Sequence, residues 1–340
     1  ASGWLVTTMP RLPVAGRFSV WNGVAARVRQ VDMRVSVVLG RCGDGAWCRS
    51  AAGGCVTRGS DGLRVFSAPG LRRAAAATAQ PLGPPLKLAT WNVNSLAVRL
   101  PQLVDWLGQQ QPEVLVLQET KLTDDKFPQA DITAAGWHSV WFGQKTYNGV
   151  ALLSRTAPQD VVHNIPGFDD PQARVIAATV DGLRVVGAYF PNGQAPGSEK
   201  FAYKMGWLQA LQDWLRAELA RHPHLVLMGD FNIAPDDRDV FDPVAWAGQI
   251  HCTPEERAHF QGLVGLGLHD AFRLFDQPPK SWSWWDYRNL AFRKNQGLRI
   301  DHILVSQALQ PRVTACTVDK LPRKNERPSD HAPVLATLAD

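Results

Sequence analysis

The chain has 340 residues, of which 45% are hydrophobic, and it carries a formal net charge of +5. This length suits one large domain or two ordinary ones, and no apolar run approaches the roughly 20 residues that cross a bilayer, which excludes a helical membrane protein. Five scattered cysteines exclude a disulfide scaffold and lack the spacing of a zinc knuckle, so we expect a reducing compartment.

Residues 1–85 differ in composition from the rest of the chain. They hold eleven Arg, no Lys and three Asp, a charge of +8, whereas residues 86–340 hold 25 basic and 28 acidic residues, a charge of −3. An Arg-rich, acid-poor segment suits an organellar transit peptide, and translated GC-rich upstream sequence has the same composition. We favour the second explanation and expect this leader to be disordered or not native. A DNA-binding argument must therefore rest on local patches of residues 86–340.

Residues 86–340 alternate between strand and helix patterns. Strands are predicted at 86–92, 114–117, 149–154, 174–180, 183–189, 225–228, 300–305 and 333–338, and helices at 99–109, at 199–221 and after Thr253–Glu256. Strands outnumber helices, and several neighbouring strands are close enough for hairpins. This favours an α/β fold with two mixed β-sheets face to face and helices outside, a four-layer αββα sandwich, over a regular Rossmann sheet.

Two of these strands run into carboxylates. Val114–Leu117 leads to Glu119, and Leu225–Met228 leads to Asp230. If each strand belongs to a different sheet of the sandwich, the two acids lie on the same rim. This repeated pattern of a strand followed by a carboxylate leads to the hypothesis that the domain has internal symmetry.

Two polar stretches indicate the chemistry. Gly229–Asn232 places an acid and an amide at a strand end, and Ser329–Pro333 contains an Asp–His pair. Such groups suit metal-assisted attack on a phosphate ester. Singly, each stretch is more often a turn or a cap, because Gly, Asp and Asn are turn formers. The interpretation therefore depends on their occurring together.

Six polar blocks occur in order along residues 86–340, about three quarters of the chain: Trp91–Asn94, Gln118–Lys121, Tyr189–Gly193, Gly229–Asn232, Leu298–Asp301 and Ser329–Pro333. Together they resemble the signature blocks of the exonuclease III family of AP endonucleases, within the endonuclease–exonuclease–phosphatase superfamily. The leader has no counterpart. The resemblance implies a single DNase I-like catalytic domain at 86–340.

The resemblance also implies an activity and its residues. The activity is Mg²⁺-dependent hydrolysis of DNA phosphodiesters in base-excision repair, with Mn²⁺ as a substitute: a cut 5′ to an abasic site, trimming of blocked 3′ ends, or 3′→5′ degradation of duplex DNA. The implied catalytic residues are Tyr189, Asp230, Asn232, Asp301 and His331; the metal ligands are Asn92, Glu119 and Asp330; and the DNA contacts are Arg174, Asn192 and Trp284. Asn94 stands at a second metal position, where some relatives carry the charged Asp, so the choice between one metal and two stays open.

The bottom-up roles agree with these assignments. Mg²⁺ prefers oxygen ligands and keeps several waters, so Glu119 with few helpers suffices. Asp230 orients or deprotonates the attacking water, and Asn232 donates to the developing oxyanion. Asp301 pairs with His331 and holds it cationic. Which group is the formal base stays open at this stage.

DNA recognition rests on a basic, aromatic segment. Lys280–Arg299 carries a local charge of +4 interleaved with aromatic residues, which suits phosphate binding and wedging at a gap or frayed end. We expect Trp282 and Trp285 to fill the core instead. His251 has two interpretations: a satisfied structural histidine, or a loop imidazole that biases which 3′ end fits the site.

Two rival functions stay open. One is a phosphatase of the same superfamily acting on a small phosphoester, and the Trp-rich basic segment argues against it. The other is a non-catalytic DNA-end binder, which predicts lost catalytic residues. We expect the protein to be a monomer that is located in the bacterial cytoplasm, at the nucleoid. Its expected partner is double-stranded DNA with abasic sites or 3′ ends, and no membrane is involved.

Overall fold

The computed structural model describes residues 38–41, 47–51, 54–59, 62–66 and 85–339. The chain divides into two compact units, Ala1–Ala79 and Gln80–Asp340. Within the described part of the chain, no helix combines the length and the apolar character needed to span a bilayer.

Most of the predicted leader lies outside the described residues. Its described parts form a four-stranded antiparallel sheet in the order β1-β2-β3-β4: β1 Val38–Arg41, β2 Trp47–Ala51, β3 Gly54–Gly59 and β4 Gly62–Phe66. The sequence pattern did not predict these strands. That the leader is disordered or not native stays a prediction.

The second unit contains two six-stranded mixed sheets. Sheet 1 has the order β15-β16-β5-β6-β8-β7, and sheet 2 has the order β13-β14-β12-β11-β10-β9. Each has one parallel pair at its centre, β5 with β6 and β11 with β12, while the other pairs are antiparallel. The strands are β5 Leu86–Asn92, β6 Val114–Gln118, β7 His138–Phe142, β8 Val150–Ser154, β9 Gln159–His163, β10 Val175–Val180, β11 Leu183–Tyr189, β12 Leu225–Asp230, β13 Leu268–Asp270, β14 Asp301–Ser306, β15 Val313–Val318 and β16 Val334–Leu338.

Helices cover the outer face of each sheet, which completes the predicted four-layer sandwich. They are α1 Leu96–Gln110, α2 Gln129–Ala134, α3 Glu199–Arg221, α4 Pro243–Trp246, α5 Pro254–Gly265 and α6 Ala291–Lys294. Helices α1 and α2 pack on sheet 1, and α3 and α5 pack on sheet 2. The N-terminal ends of α3 and α5 are capped: Ser198 accepts from the Phe201 N–H, and Thr253 and Glu256 form a capping box.

Alternating side chains of the central strands build both cores. In β6, Val114 and Val116 face the other sheet, while Leu115 and Leu117 face the helices. Strand β12 divides its apolar residues in the same way. Because both faces are buried, these strands are continuous apolar runs in the sequence. The sheets approach closely at Gly187, where an added Cβ would lie 2.4 Å from Val116 Cγ1.

The two sheets are related by an internal repeat. From one edge, sheet 2 has the order β9-β10-β11-β12-β14-β13, and sheet 1 has the order β15-β16-β5-β6-β8-β7. The two orders correspond strand by strand. In each sheet a helix connects the two strands of the central parallel pair, α3 in sheet 2 and α1 in sheet 1. In this correspondence β6 matches β12, so the strands leading to Glu119 and Asp230 are equivalent. The repeated pattern in the sequence therefore reflects a repeat in the fold. Strands β15 and β16, from the end of the domain, complete sheet 1 beside β5.

Gly229 marks a place where β12 and β11 leave no room for a side chain. An added Cβ would lie 1.8 Å from the Ala188 carbonyl oxygen. We expect Gly229→Ala to destabilise the protein by about 1–3 kcal/mol, as overpacking does, and to displace the adjacent Asp230. Thermal unfolding and turnover measure the two effects.

Gly206, in the middle of α3, provides the matched control, because an added Cβ there meets nothing within 4 Å. Gly206→Ala should raise stability by about 0.5–1 kcal/mol. A Gly229→Ala protein as stable and active as the Gly206 variant would contradict the packing argument.

Candidate active site

The C-terminal ends of the four central parallel strands meet at one rim. Asn92 ends β5, Glu119 follows β6, Tyr189 ends β11 and Asp230 ends β12. The antiparallel neighbours β14 and β16 begin at this same rim and supply Asp301 and the segment containing His331. One carboxylate or ring atom from each of Glu119, Asp230 and His331 lies within 4.8 Å of the others.

The Asn92 side chain joins the two sheets at their acids. Its amide nitrogen donates to Glu119 Oε1 at 2.9 Å and to Asp230 Oδ2 at 3.0 Å. Its amide oxygen accepts from the Asn94 backbone N–H at 2.9 Å. In this arrangement Asn92 is a donor to both carboxylates, so its predicted role as a direct metal ligand stays a prediction.

A buried chain of hydrogen bonds orients His331. Its Nδ1 lies 2.9 Å from Asp301 Oδ2, and its Nε2 lies 3.7 Å from Asp230 Oδ2. Asp301 in turn accepts from the Ser283 hydroxyl at 2.6 Å, and that hydroxyl accepts from the Asp301 N–H at 3.0 Å. The predicted Asp301–His331 pair is therefore formed, with Ser283 holding the acid.

Burial and charge set opposite protonation tendencies in this cluster. Burial raises the pKa of Asp230 to about 7; the His331 cation opposes the shift and the Asp301 charge adds to it. Burial disfavours the charged form of His331, but Asp301 and Asp230 outweigh it and raise its pKa to about 10. At neutral pH the imidazole is thus cationic, while Asp230 is poised to exchange a proton.

Asp330 lies beside this cluster and not within it. Asn94 Nδ2 donates to one of its oxygens at 2.9 Å, and the Trp284 indole donates to the other at 3.0 Å. Although burial opposes the shift, the His331 cation and these two hydrogen bonds hold the pKa of Asp330 below its usual range.

The Lys121 ammonium links Asn94 Oδ1, at 2.5 Å, to Glu119 Oε2, at 2.8 Å. Asn94 therefore bridges a lysine and a carboxylate at the predicted second metal position.

Tyr189 and Arg174 form one side of the site. Burial, followed by the Glu119 and Asp230 charges, raises the pKa of Tyr189 well above its ordinary value, so its hydroxyl stays protonated and hydrogen-bonds to Glu119. Arg174 is buried; its guanidinium donates to the Tyr189 carbonyl at 3.2 Å and lies 5.0 Å from the Tyr189 ring centroid. In this structure Arg174 supports Tyr189, and a contact with the DNA backbone stays a prediction.

Asn192 and Asn232 meet on the neighbouring loops. Asn192 Nδ2 donates to Asn232 Oδ1 at 3.3 Å, and Asn232 Nδ2 donates to the Phe190 carbonyl at 3.1 Å. The Asn232 backbone N–H donates to Asp230 Oδ1 at 2.9 Å. Its side-chain donors already contact the protein here, so the predicted oxyanion contact requires the amide to rotate.

Four contacting residues were not predicted from the sequence: Lys121, Lys204, Ser283 and Ser329. Ser329 donates to the Asn92 carbonyl at 2.7 Å and accepts from the His331 N–H at 3.2 Å. Lys121 and Ser329 lie within two of the six sequence blocks but were given no role there, while Lys204 and Ser283 lie in none of the blocks; lysine and serine are also common on surfaces. Trp282 and Trp285 are buried, as predicted, and Trp284 lies at the rim.

Arg323 belongs to a basic segment, residues 320–327, whose composition is typical of a solvated loop. Its side chain is buried, donates to the Ser329 carbonyl and lies 4.8 Å from the Phe292 ring centroid. Packing on aromatic faces explains how a guanidinium is buried here. His251 is also buried: its Nδ1 lies 2.7 Å from the Asn232 carbonyl, and burial lowers its pKa to about 4.

The donor set at the rim fits a hard divalent cation. Glu119 and Asp230 offer carboxylate oxygens, the ligand type that Mg²⁺ and Mn²⁺ prefer, and Glu119 keeps part of its surface exposed. His331 is an unsuitable ligand because Asp301 holds it protonated. A cation held by Glu119 would take the position of the Lys121 ammonium as the partner of that carboxylate.

Removing the Asp301 charge tests how His331 is kept cationic. A histidine whose folded pKa is raised to about 10 contributes stability below its unfolded pKa near 6.5, and this contribution is lost as pH rises through about 10. Asp301→Asn removes the largest of the charges that raise the pKa of His331, so this pKa falls. We expect about 10²-fold lower turnover at neutral pH, with a loss of stability that disappears above pH 10.

The measurements are a pH–rate profile, pH-dependent unfolding and an NMR titration of the His331 imidazole. Asp276→Asn, which removes the charge of an exposed acid, is the control. A His331 titration unchanged in Asp301→Asn would contradict the charge argument.

Comparisons with known proteins agree with this geometry. Residues 89–331 match the Endonuclease/Exonuclease/phosphatase family. Exodeoxyribonuclease III of Haemophilus influenzae is 38% identical over 264 residues, which cover 74% of this chain and 99% of that protein. A 3′-phosphatase from Neisseria, solved with a product DNA hairpin, is 53% identical to this chain, with a TM-score of 0.73. An AP endonuclease from Archaeoglobus fulgidus is 35% identical, with a TM-score of 0.72. Each of the two alignments covers 74% of this chain and 99% of the solved chain. The chain therefore belongs to the endonuclease/exonuclease/phosphatase family, as a nuclease of the exonuclease III and AP endonuclease type.

Proposed function

We propose that this nuclease is Mg²⁺-dependent and acts chiefly on the 3′ ends of duplex DNA, removing 3′-terminal phosphates and nucleotides. The observation that carries the proposal is the cluster at the rim: Asn92 joins Glu119 to Asp230, and cationic His331 lies 3.7 Å from Asp230. Mn²⁺ is the expected substitute for Mg²⁺.

The residues at the rim have distinct roles in this reaction. Glu119, with Asn92 and Asp330 beside it, would hold a divalent cation, which would supply neutralisation of charge on the phosphate. Asp230 orients the attacking water and accepts its proton, since its pKa of about 7 allows both protonation states near neutrality. His331 places a positive charge beside the phosphate, and the protonated Tyr189 hydroxyl supports the leaving 3′ oxygen.

The comparisons support a preference for 3′ ends. Two solved structures of a Neisseria protein at 53% identity are described, one as a 3′-phosphatase with a product DNA hairpin and one as a 3′–5′ exonuclease. Removing a 3′ phosphate and removing a 3′ nucleotide both break the bond between phosphorus and the 3′ oxygen. One catalytic cluster therefore serves both reactions.

Cleavage at abasic sites is the second candidate. An incision 5′ to an abasic sugar also breaks a phosphorus–O3′ bond, and the Archaeoglobus AP endonuclease is 35% identical over nearly all of its length. Trp284, fixed at the rim by its hydrogen bond to Asp330, would line the pocket for the sugar.

Three labelled duplexes test the proposal: one with a recessed 3′ phosphate, one with a recessed 3′ hydroxyl and one with a central abasic analogue. Each is incubated with Mg²⁺, Mn²⁺ or EDTA. We expect metal-dependent release of phosphate and nucleotides from the 3′ ends, with slower cutting at the lesion. A single cut at the lesion with intact 3′ ends would reverse the order of the two candidates. Hydrolysis of inositol phosphates without action on DNA would favour the rival phosphatase.

The proposed catalytic unit is residues 86–340, acting as a monomer in the bacterial cytoplasm. Deleting residues 1–85 should leave turnover within about twofold of the full chain and should leave the unfolding temperature of the catalytic unit unchanged. Paired kinetics and calorimetry of the two proteins measure this. Loss of folding on deletion would make the leader part of the domain.

A further inference from the structure

Lys204 is a fully buried lysine behind the catalytic rim. It lies in α3, and its partner Glu256 lies at the start of α5; neither side chain is exposed to solvent. Buried charges are rare unless they are paired, and burying an ion pair contributes little net stability. A structural role alone therefore explains this pair poorly.

The Lys204 ammonium has three N–H donors, and each has a partner on a different element. It donates to the Asn192 carbonyl at 3.2 Å, to the Asn232 carbonyl at 2.8 Å and to Glu256 Oε1 at 2.5 Å. Asn192 and Asn232 follow β11 and β12, so one cation fixes both loops that carry the rim asparagines. The stem of Lys204 also packs against Gly193, where an added Cβ would lie 3.0 Å from Lys204 Cδ.

Asn232 has a left-handed backbone conformation, which asparagine adopts more readily than most other non-glycine residues. Its φ is +50°, in the left-handed region that non-glycine residues rarely adopt. In this conformation its N–H points to Asp230 Oδ1, at 2.9 Å, while its carbonyl points to Lys204 and to His251 Nδ1. The carbonyl and the N–H of this turn therefore link the buried ammonium to the Asp230 carboxylate.

We infer that Lys204 is a positioning residue for the reaction, holding the Asn232 turn so that Asp230 keeps the orientation required for attack on the phosphate. This inference rests on the proposed function. Lys204 does not touch the reacting atoms. It acts through the backbone of Asn232, and small displacements of a catalytic group cost turnover steeply.

A double variant separates positioning from stability. Lys204→Met leaves Glu256 buried without a partner, so it should lower both stability and turnover. Adding Glu256→Gln removes the unpaired charge and should restore the unfolding temperature to within a few degrees of the wild type. If Lys204 positions the turn, kcat stays at least about tenfold low in the double variant, while KM for the 3′-phosphate duplex changes little.

The matched control is the ion pair at the other end of α3. Arg184 Nε lies 2.8 Å from Glu218 Oε2, and both side chains are almost fully buried, away from the rim. The Arg184→Met/Glu218→Gln variant should match the Lys204 double variant in stability and keep kcat within about twofold of the wild type.

Hydrogen exchange of the Asn232 amide gives a readout that does not depend on activity. Exchange should be faster in Lys204→Met/Glu256→Gln than in the wild type and unchanged in the control. Recovery of kcat together with stability in the double variant, or unchanged Asn232 exchange, would overturn the inference. If the wild type does not act on 3′ ends, but Asn232 exchange is still faster in the double variant, the proposed function is wrong and the positioning of the Asn232 turn by Lys204 stands.

Discussion

Asp230→Asn is expected to lower turnover by about 10²- to 10⁴-fold while leaving DNA binding within a few-fold of the wild type. An amide cannot accept the proton of the attacking water, and loss of a positioned general base has this magnitude. The substitution is nearly isosteric, and the amide oxygen can still accept from the Asn232 N–H or from Asn92 Nδ2, whereas the amide nitrogen cannot replace the other carboxylate oxygen as an acceptor. Single-turnover cleavage of the 3′-phosphate duplex and an equilibrium binding titration measure the two quantities.

Asp213→Asn is the control for this variant. Asp213 lies on the exposed face of α3, paired with Arg216, and its loss should leave both measurements unchanged. Unchanged turnover in Asp230→Asn would remove Asp230 from the mechanism. A parallel loss of DNA binding would instead indicate that the rim had been deformed.

Glu119→Gln is expected to weaken Mg²⁺ and Mn²⁺ binding by at least about 100-fold and to lower turnover at fixed Mg²⁺ by a similar factor. Substituting residues that merely support metal ligands typically costs 10- to 100-fold in affinity, and a direct carboxylate ligand should cost more. A readout that does not depend on catalysis is the rise in unfolding temperature when metal is added, and the variant should lose this rise. Part of the activity should return at high Mn²⁺.

Glu255→Gln provides the comparison, since Glu255 is an exposed acid in the first turn of α5. Its metal-dependent stabilisation should equal that of the wild type. If Glu119→Gln keeps the full stabilisation by Mg²⁺, the cation is held elsewhere on the rim, and Asp330 becomes the next carboxylate to replace.

The central strands and the rim acids were predictable because one physical pattern specifies them. Buried apolar runs ending in polar residues indicated β6 and β12, and their equivalence in the fold explains why Glu119 and Asp230 meet. Strands β5 and β11 and helix α3 were predicted with the same bounds as the structure gives them.

The strands that were missed lie toward the sheet edges. Strand β9, Gln159–His163, has mostly exposed side chains and β7 has none that is fully buried, so neither shows the apolar run of a central strand. Their pairing with β10 and β8 is set by the tertiary fold.

The contacts within the site were also beyond the sequence. Nothing in the spacing of Asn92 indicates whether its amide nitrogen or its oxygen faces the acids. Likewise, the burial of Lys204 and Ser283 depends on elements far apart in the chain. A motif identifies which groups share a site, while the hydrogen bonds between them depend on packing.

The pairing of β16 with β5 has a consequence for biosynthesis. Asn92 and Ser329, joined by a hydrogen bond, are separated by 237 residues, and His331 enters the site beside the strand that closes sheet 1. During translation, Glu119 and Asp230 emerge long before the imidazole that completes the cluster. A nascent chain that has not yet reached residue 331 would therefore lack the imidazole of the proposed catalytic cluster, and we expect hydrolysis only after β16 has been synthesised.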